Sequence, residues 1–265
     1  MAKLLPNFMF TGSMSNLTAY KRHDSDKIIL RSKGGPTKQK IQTSPAFEET
    51  RKNNKEFGGR ASATSRLLTA FEYLKPITDY NIAGPLISLL RPIQALDTES
   101  EKGKRHVLIS RNPRLIEGFN LNRKNSFDTM IRNPVDWSIS RENFSARIEF
   151  PALIPGINFL LPDGNHPVYR LVTVLALIPD FFYEEPKYKP LQELNYRRII
   201  RMQSDWFSVP VGSAPQHLEL QLPILTLPPS FSIMLAAGIS FGKFNSAGNV
   251  DPVKYVGCAK IVGMA

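Results

Sequence analysis

Along residues 45–74 the apolar positions step by three and four. Phe57, Ala61, Thr64, Leu68 and Phe71 recur at intervals of 4, 3, 4 and 3, which places them on one stripe of an α-helix. Ser44 offers an N-cap oxygen and Pro45 a pre-set φ at the first helical position, so a helix is predicted from Pro45 to about Leu74, stopped by Pro76. Arg51, Lys55 and Arg66, with Glu48, fall near the opposite face. Gly58-Gly59 interrupts the middle, at about 1 kcal/mol per glycine relative to alanine. Either the helix breaks there or another backbone packs closely against it. A second helix is predicted over 85–95, with Leu86, Leu89, Leu90 and Ile93 apolar and Pro92 limiting its regularity. Before these helices, residues 16–20 and 27–31 read as two short strands around the polar turn Lys21–Asp26.

From Trp137 onward the period becomes two. Phe144, Ala146, Ile148 and Phe150 alternate with Ser145, Arg147 and Glu149, and Leu218, Leu220 and Leu222 alternate with Glu219 and Gln221, as in strands with one buried face. Residues 168–178, 231–242 and 255–262 are apolar on both faces and are expected as central or covered strands. With Ile157–Leu161 and Asp205–Val209 the count is about eight strands. His106–Ser110 and Leu115–Asn120 are weaker strand or turn candidates, and Asp97–Arg105 reads as a charged, flexible link. Of 21 prolines, 14 follow residue 130, which suits short strands and many turns. The expected fold is mainly β with α: an N-terminal hairpin and two or three helices docked on an antiparallel β-sandwich, jelly-roll- or Ig-like. The expected domains are a basic region 1–135 and a sandwich 136–265. Leu67, Leu68, Phe71, Leu86, Leu89 and Leu90 are the helix positions that need the sandwich as cover.

Charge separates the same two halves. Residues 1–135 hold 23 Lys+Arg and 12 Asp+Glu, 23 − 12 = +11, and residues 136–265 hold 11 of each, 11 − 11 = 0. Lys33, Lys38, Lys40, Arg51, Lys52, Lys55 and Arg60 fall within 28 residues and are the predicted contact set for an acidic partner or nucleic acid. If five of them met phosphates, affinity would fall with salt at a log–log slope of about −4.5. The charges are spaced along a helix and its leading loop, and no DNA- or RNA-binding motif accompanies them, so a contact face for another subunit or an acidic protein ranks at least level with nucleic acid. The single cysteine, Cys258, cannot form an internal disulfide. The first residues, Met1 to Asn7, make a poor signal peptide, and the longest apolar run, Leu171 to Pro179, is about half a membrane span. No membrane insertion and a cytoplasmic location are expected, with export or virion assembly left open.

Candidate chemistry reduces to weak patterns. Gly238-Ile-Ser240-Phe-Gly242 matches a hydrolase elbow, but the following residues are loop-like and the last histidine, His217, lies upstream; a strand with small residues for close packing is the preferred reading. Gly34-Gly35 lacks the order of a phosphate-binding loop and suits a turn needing positive φ. His23, His106, His166 and His217 are scattered without ligand spacing. Asp180, Glu184 and Glu185 lie in a Pro/Tyr-rich stretch and read as solvated acids. Trp137, Trp206, Phe181, Phe182 and Tyr183 are candidates for a ligand groove. No catalytic residue, metal site or cofactor is predicted.

The stretches Arg31-Ser-Lys-Gly-Gly-Pro-Thr-Lys38, Pro45 through Gly59 and Leu96 through Arg105 resemble an uncharacterised Bacteroidota-type bacterial family over roughly the first 120 residues. The resemblance implies a bacterial source and no chemistry. The resulting expectation is a non-enzymatic structural or assembly protein, a particle or filament subunit forming a homo-oligomer or larger assembly, whose basic region meets neighbouring subunits or an acidic partner. The C-terminal residues Tyr255–Ala265 are expected to pair in their own sheet or to add to a neighbour's edge. A sequence-independent nucleic-acid-binding protein is the first alternative, and a sandwich-fold ligand-binding protein or enzyme the second.

Overall fold

Residues 168–179 and 231–244 carry apolar side chains toward both faces, so a stable structure has to cover them twice. The computed structural model shows how, and describes residues 10–21, 27–32, 34–191, 198–226 and 230–265. The chain forms two units, Met1–Arg51 and Lys52–Ala265, and the 135/136 boundary expected from charge and period falls inside the second.

In the first unit, β1 (Gly12–Met14), β2 (Leu17–Lys21) and β3 (Ile28–Ser32) form an antiparallel sheet in that order. The two expected strands are present, β1 is an addition, and most of the polar turn between β2 and β3 lies outside the described residues. α1 (Lys38–Thr43) starts at Thr37, whose side-chain oxygen accepts from the Lys40 N–H at 3.2 Å. Ser44 is not the cap expected for the long helix. Its own N–H closes α1 on the Lys40 carbonyl, a 3₁₀ turn follows at Pro45–Phe47, and α2 (Glu48–Ala70) begins afterwards. The Arg51 guanidinium donates to the Ile41 and Ser44 carbonyls, both at 2.8 Å, satisfying acceptors that the end of α1 leaves open.

The second unit continues with α3 (Ala83–Ala95), α4 (Phe127–Met130), β4 (Asp136–Ser140), β5 (Ser145–Phe150) and β6 (Val168–Pro179). Then come β7 (Phe182–Glu184), β8 (Lys187–Lys189), β9 (Ile199–Gln203), β10 (Phe207–Ser208), β11 (Gln216–Gln221), β12 (Phe231–Phe244) and β13 (Val250–Met264). One antiparallel sheet has the order β10-β6-β12-β13, with β9 also on β6; a second has the order β11-β5-β4; β7 and β8 form a hairpin. On the first sheet Val172, Val174, Ala176, Ile178, Met234, Ala236, Ala259 and Ile261 share a core with Leu67, Phe71, Leu86 and Leu90 of the helical layer. Their sequence neighbours Leu171, Leu175, Ile233, Leu235, Ile239 and Cys258 pack with Ile148, Phe150, Leu218 and Leu220 of the second sheet. The fold is therefore an antiparallel β-sandwich with helices docked on the outside of one sheet, and the two-residue period of the central strands assigns each side chain to a layer. Among the described residues, no helix is long and apolar enough to cross a membrane.

Two local expectations are corrected, and one left open between two outcomes is decided. The buried side of α2 is Glu56, Gly59, Ala63, Thr64, Leu67 and Ala70, so the stripe is turned by about one position and Phe57 is exposed. Ile157–Leu161 is no strand: Asn158 folds it into a turn, its Oδ1 accepting from the Ile154 N–H and its Nδ2 donating to the Ala152 carbonyl, both at 2.8 Å. β13 pairs within its own sheet, and its outer side is occupied too. Gly118 and Leu121 donate to the carbonyls of Ile261 and Ala259 at 2.9 and 2.8 Å, and the Ile261 N–H donates to Phe119 at 3.0 Å.

Gly58-Gly59 neither breaks α2 nor faces another backbone. A Cβ on Gly59 would lie 2.7 Å from the Tyr188 ring, whereas Gly58 faces open space. Gly59→Ala is expected to destabilise the protein by about 1–3 kcal/mol through overpacking, because the Tyr188 hydroxyl is held at the Arg105 carbonyl, 3.0 Å away. Gly58→Ala is expected to stabilise by about 0.5–1 kcal/mol through helix propensity. Chemical denaturation of the two variants checks these opposite signs.

Candidate functional site

Glu56 points inward from α2 and is 4% exposed. A carboxylate in that position must be paired. Oε1 accepts from the Gly103 N–H at 2.8 Å and from Arg105 Nε at 2.7 Å, and Oε2 accepts from Arg105 Nη2 at 2.7 Å. Burial alone would raise its pKa, but Arg105, the Gly103 N–H and the charge of Arg60 together hold it below its ordinary value of 4.5. Gly103 has φ +95°, and a Cβ there would sit 3.0 Å from the Lys52 side chain. Glycine thus lets the loop lie directly on α2.

The segment 97–105 is consequently a tied loop rather than the flexible link expected from its charge. Asp97, also buried, accepts from the N–H groups of Glu99 and Ser100 through Oδ1 at 3.1 and 3.2 Å, and from His106 N–H through Oδ2 at 2.7 Å. Burial opposes its ionisation, and these donors overcome that, lowering its pKa. Charged side chains that look solvated in the sequence serve here as acceptors for loop backbone.

Beside this loop is a cleft of about 550 Å³ lined by Asn53, Glu56 and Arg60 of α2, Arg91 and Ala95 of α3, and Lys102 and Arg105. Four cations and one carboxylate give the lining 4 − 1 = +3, and that carboxylate is already engaged by Arg105. Arg60 donates from Nη1 to Gln94 Oε1 at 2.6 Å, and Gln94 Nε2 donates to the Arg105 carbonyl at 2.9 Å. Tyr188 donates to the same carbonyl, and its burial raises its pKa and keeps the phenol protonated. Arg60 Nε is buried without a hydrogen-bond partner. Burial lowers the pKa of Arg60, Glu56 opposes this, and the charges of Arg91 and Arg105 lower it further. The arrangement offers donors and positive charge to an anion. Among the described residues no group of three or more His, Cys, Asp or Glu could hold a metal ion.

Of the seven basic residues singled out in the sequence, Arg60 lines the cleft, Lys52 packs against Gly103, and Lys55 lies 5.5 Å above the Tyr183 ring with Nζ 3.3 Å from its hydroxyl. Arg51 serves the α1 carbonyls, Lys38 and Lys40 are exposed on α1, and Lys33 lies outside the described residues. Arg91, Lys102 and Arg105 complete the cleft and were not singled out; only their sign marks them, since the fold alone brings positions 60, 91 and 105 together.

The other candidates fall into separate places. Asp180 is buried, not solvated: it accepts from the Ser110 N–H at 2.8 Å and from the Ser110 hydroxyl, and burial pushes its pKa up. Glu184 and Glu185 are exposed. His106 Nδ1 accepts from the Tyr183 N–H at 3.0 Å, His166 lies at the Asp163 carbonyl, His217 sits between Glu149 and Glu219, and His23 is outside the described residues. Gly238, Ser240 and Gly242 lie within β12, where a Cβ on Gly238 would meet the Cys258 carbonyl at 2.6 Å. Gly35 has φ +111°. The aromatic candidates line no common groove: Phe181 is in the core, Trp137 packs on Gly263, and Trp206 packs on Gly242 beneath Arg170. No protein-family model matches the chain, and no curated protein or solved structure matches it.

Because Glu56 has a lowered folded-state pKa, it contributes stability above its unfolded value, and that contribution is lost as pH falls through the folded value. Glu56→Gln is expected to destabilise the protein at neutral pH by about 3 kcal/mol, the cost of leaving a partly buried guanidinium without its carboxylate. It is also expected to flatten the loss of stability below the ordinary glutamate pKa. Urea denaturation of both proteins across acidic and neutral pH checks the difference. Asp180, whose shift has the opposite sign, cancels in that comparison.

Proposed function

We propose that this chain is a cytoplasmic structural or assembly protein whose basic half receives an acidic partner. The observation that carries the reading is the cleft between α2, α3 and the 97–106 loop, where Arg60, Arg91, Lys102 and Arg105 converge and the one lining carboxylate is taken by Arg105. The charges of Arg91 and Arg105 repel that of Arg60, and an incoming anion relieves that repulsion. The +11 excess of residues 1–135 over a neutral remainder gives the chain a net attraction for acidic surfaces and speeds encounter with one. Assembly by strand addition at β13 has no support along Ala259–Ile261, where residues 118–121 already occupy the edge. Side-chain surfaces are the remaining route for a partner on that side.

Titration with poly-glutamate and with single-stranded oligonucleotide over a range of salt, with light scattering to follow assembly size, tests the reading. Poly-glutamate is expected to bind, with affinity falling as salt rises, and Arg91→Glu is expected to weaken it and to make the salt slope shallower by about 1 or more. Absence of poly-glutamate binding at low ionic strength would overturn the acidic-partner reading. Markedly tighter binding of the oligonucleotide, with the same salt dependence, would replace it by nucleic-acid binding.

A further inference from the structure

β13 breaks its register opposite Phe241. Ser240 pairs with Gly257 and Gly242 with Pro252, so residues 253–256 oppose one residue of β12 and form an extended bulge. Bulges re-aim side chains and are frequent beside functional sites. Within this one Tyr255 has φ +64°, a left-handed backbone that a bulky side chain adopts only at a cost. Burial does not offset that cost, because Tyr255 is 68% exposed. Two residues on, Gly257 shows what packing demands of such a backbone: a Cβ there would lie 2.6 Å from the Ile77 side chain. Glycine would adopt the conformation of position 255 without strain, yet a tyrosine stands there. Strain kept at an exposed residue marks its side chain as functional.

The ring borders a hollow of about 580 Å³ that shares no lining residue with the basic cleft. Leu68 and Ile82 give it apolar surface, and Glu72 and Asp79 set two carboxylates against the ammonium groups of Lys75 and Lys254, so neither formal charge is in excess. Its polar groups are held in place with bonding capacity to spare. The Asp79 carboxylate accepts from the N–H groups of Arg123 and Lys124 at 2.9 and 2.8 Å. Asn81 Oδ1 accepts from the Ala83 N–H at 3.0 Å, and the amide still has its Nδ2 donors to offer. Tyr80 is a fixed wall: its hydroxyl donates to the Asn120 carbonyl at 3.0 Å, and the Arg123 guanidinium lies 4.4 Å from its ring centroid.

We infer that this hollow binds a ring of a neutral saccharide. The electron-rich face of an aromatic ring attracts the C–H bonds of a sugar, and Tyr255 presents such a face beside the hollow. The hydroxyls around a sugar ring both donate and accept, which matches a lining of carboxylates, ammonium groups and an amide. An anionic ligand would meet no excess of cations there, and a purely apolar one would strip Asp79 and Asn81 of water without replacing it. The volume lies in the range of small-ligand clefts. The inference is separate from the acidic-partner reading, and neither rests on the other.

The test is calorimetric titration of the full chain with cellohexaose, maltohexaose, xylohexaose and chitohexaose, and with adenosine as an uncharged planar ligand, each at millimolar concentration. At least one of the four saccharides is expected to bind. Tyr255→Ala is expected to weaken that binding about tenfold or more, and Tyr255→Phe, which keeps the ring, to stay within about twofold of wild type. Tyr255→Gly is expected to lose binding as Tyr255→Ala does, yet to unfold at a higher urea midpoint than Tyr255→Ala. That order reverses the usual one for a strand, because glycine relieves the left-handed backbone. Binding of none of the saccharides, or binding unchanged in Tyr255→Ala, would overturn the site. Tighter binding of adenosine than of any saccharide would replace the sugar by a nucleobase and so overturn it too. A higher midpoint for Tyr255→Ala than for Tyr255→Gly would remove the strain on which the inference stands.

Discussion

The architecture follows from one constraint: β6 and β12 are apolar on both faces, and neither face tolerates water. Each side chain along these strands belongs to one of two cores by its parity. Val172, Val174 and Ala176 call for the helical layer, and Leu171 and Leu175 call for the second sheet. The facing registers of β12 repeat the division, with Met234 and Ala236 on one side and Ile233 and Leu235 on the other. A one-residue slip would exchange the two sets and mismatch both covers at once. The helices need little of their own stability in this arrangement. α2 keeps Gly58-Gly59 in its middle because Leu67 and Phe71 anchor it to the sheet and because Gly59 is the place where Tyr188 lies on it.

The cleft is a by-product of this layering that gained chemistry. Docking α2 and α3 on the sheet brings Arg60 and Arg91 to facing elements, and the loop after α3 has to return across α2. That return is made specific by Glu56, which accepts the Gly103 N–H and two Arg105 donors. A buried ion pair of this kind adds little net stability relative to an apolar pair, but it selects one loop path over others. Tyr188 reaches the same loop from the β7–β8 hairpin, so α2 and the hairpin, far apart in sequence, both hold the residues 103–105.

Most of the fold was legible in the sequence, and the reasons are physical. Period two survives in β5, β11 and the two-faced strands because each position there has one environment along its length. Period 3.6 in α2 predicted the helix but placed its stripe one position too far on. Hydrophobicity counts Phe57 as core, and no sequence rule shows that Glu56 is buried beneath a loop or that Gly59 receives an aromatic ring. The segment 97–105 misled for a related reason: charge density suggests solvent, yet Asp97 and Arg105 are used inward. Ile157–Leu161 has strand-like composition, and the Asn158 side chain overrides it by bonding its own turn. The candidate site was half legible. Arg60 was among the basic residues singled out, but its neighbours Arg91, Lys102 and Arg105 become neighbours only through tertiary packing.

The backbone of Gly118–Leu121, laid along the outer side of β13, has a consequence for how the molecule behaves in company. An open edge strand is a template on which other chains can polymerise. β13 is long, apolar at its C-terminal end and would be a hazardous edge if bare. Hydrogen bonds from Gly118 and Leu121, and the bond back to Phe119, act as a selvedge that keeps the sheet from being lengthened by a foreign strand along Ala259–Ile261. Growth there would first have to unpick this hem, so damage to the loop that carries it, rather than to the strand itself, is where amyloid-like pairing would begin.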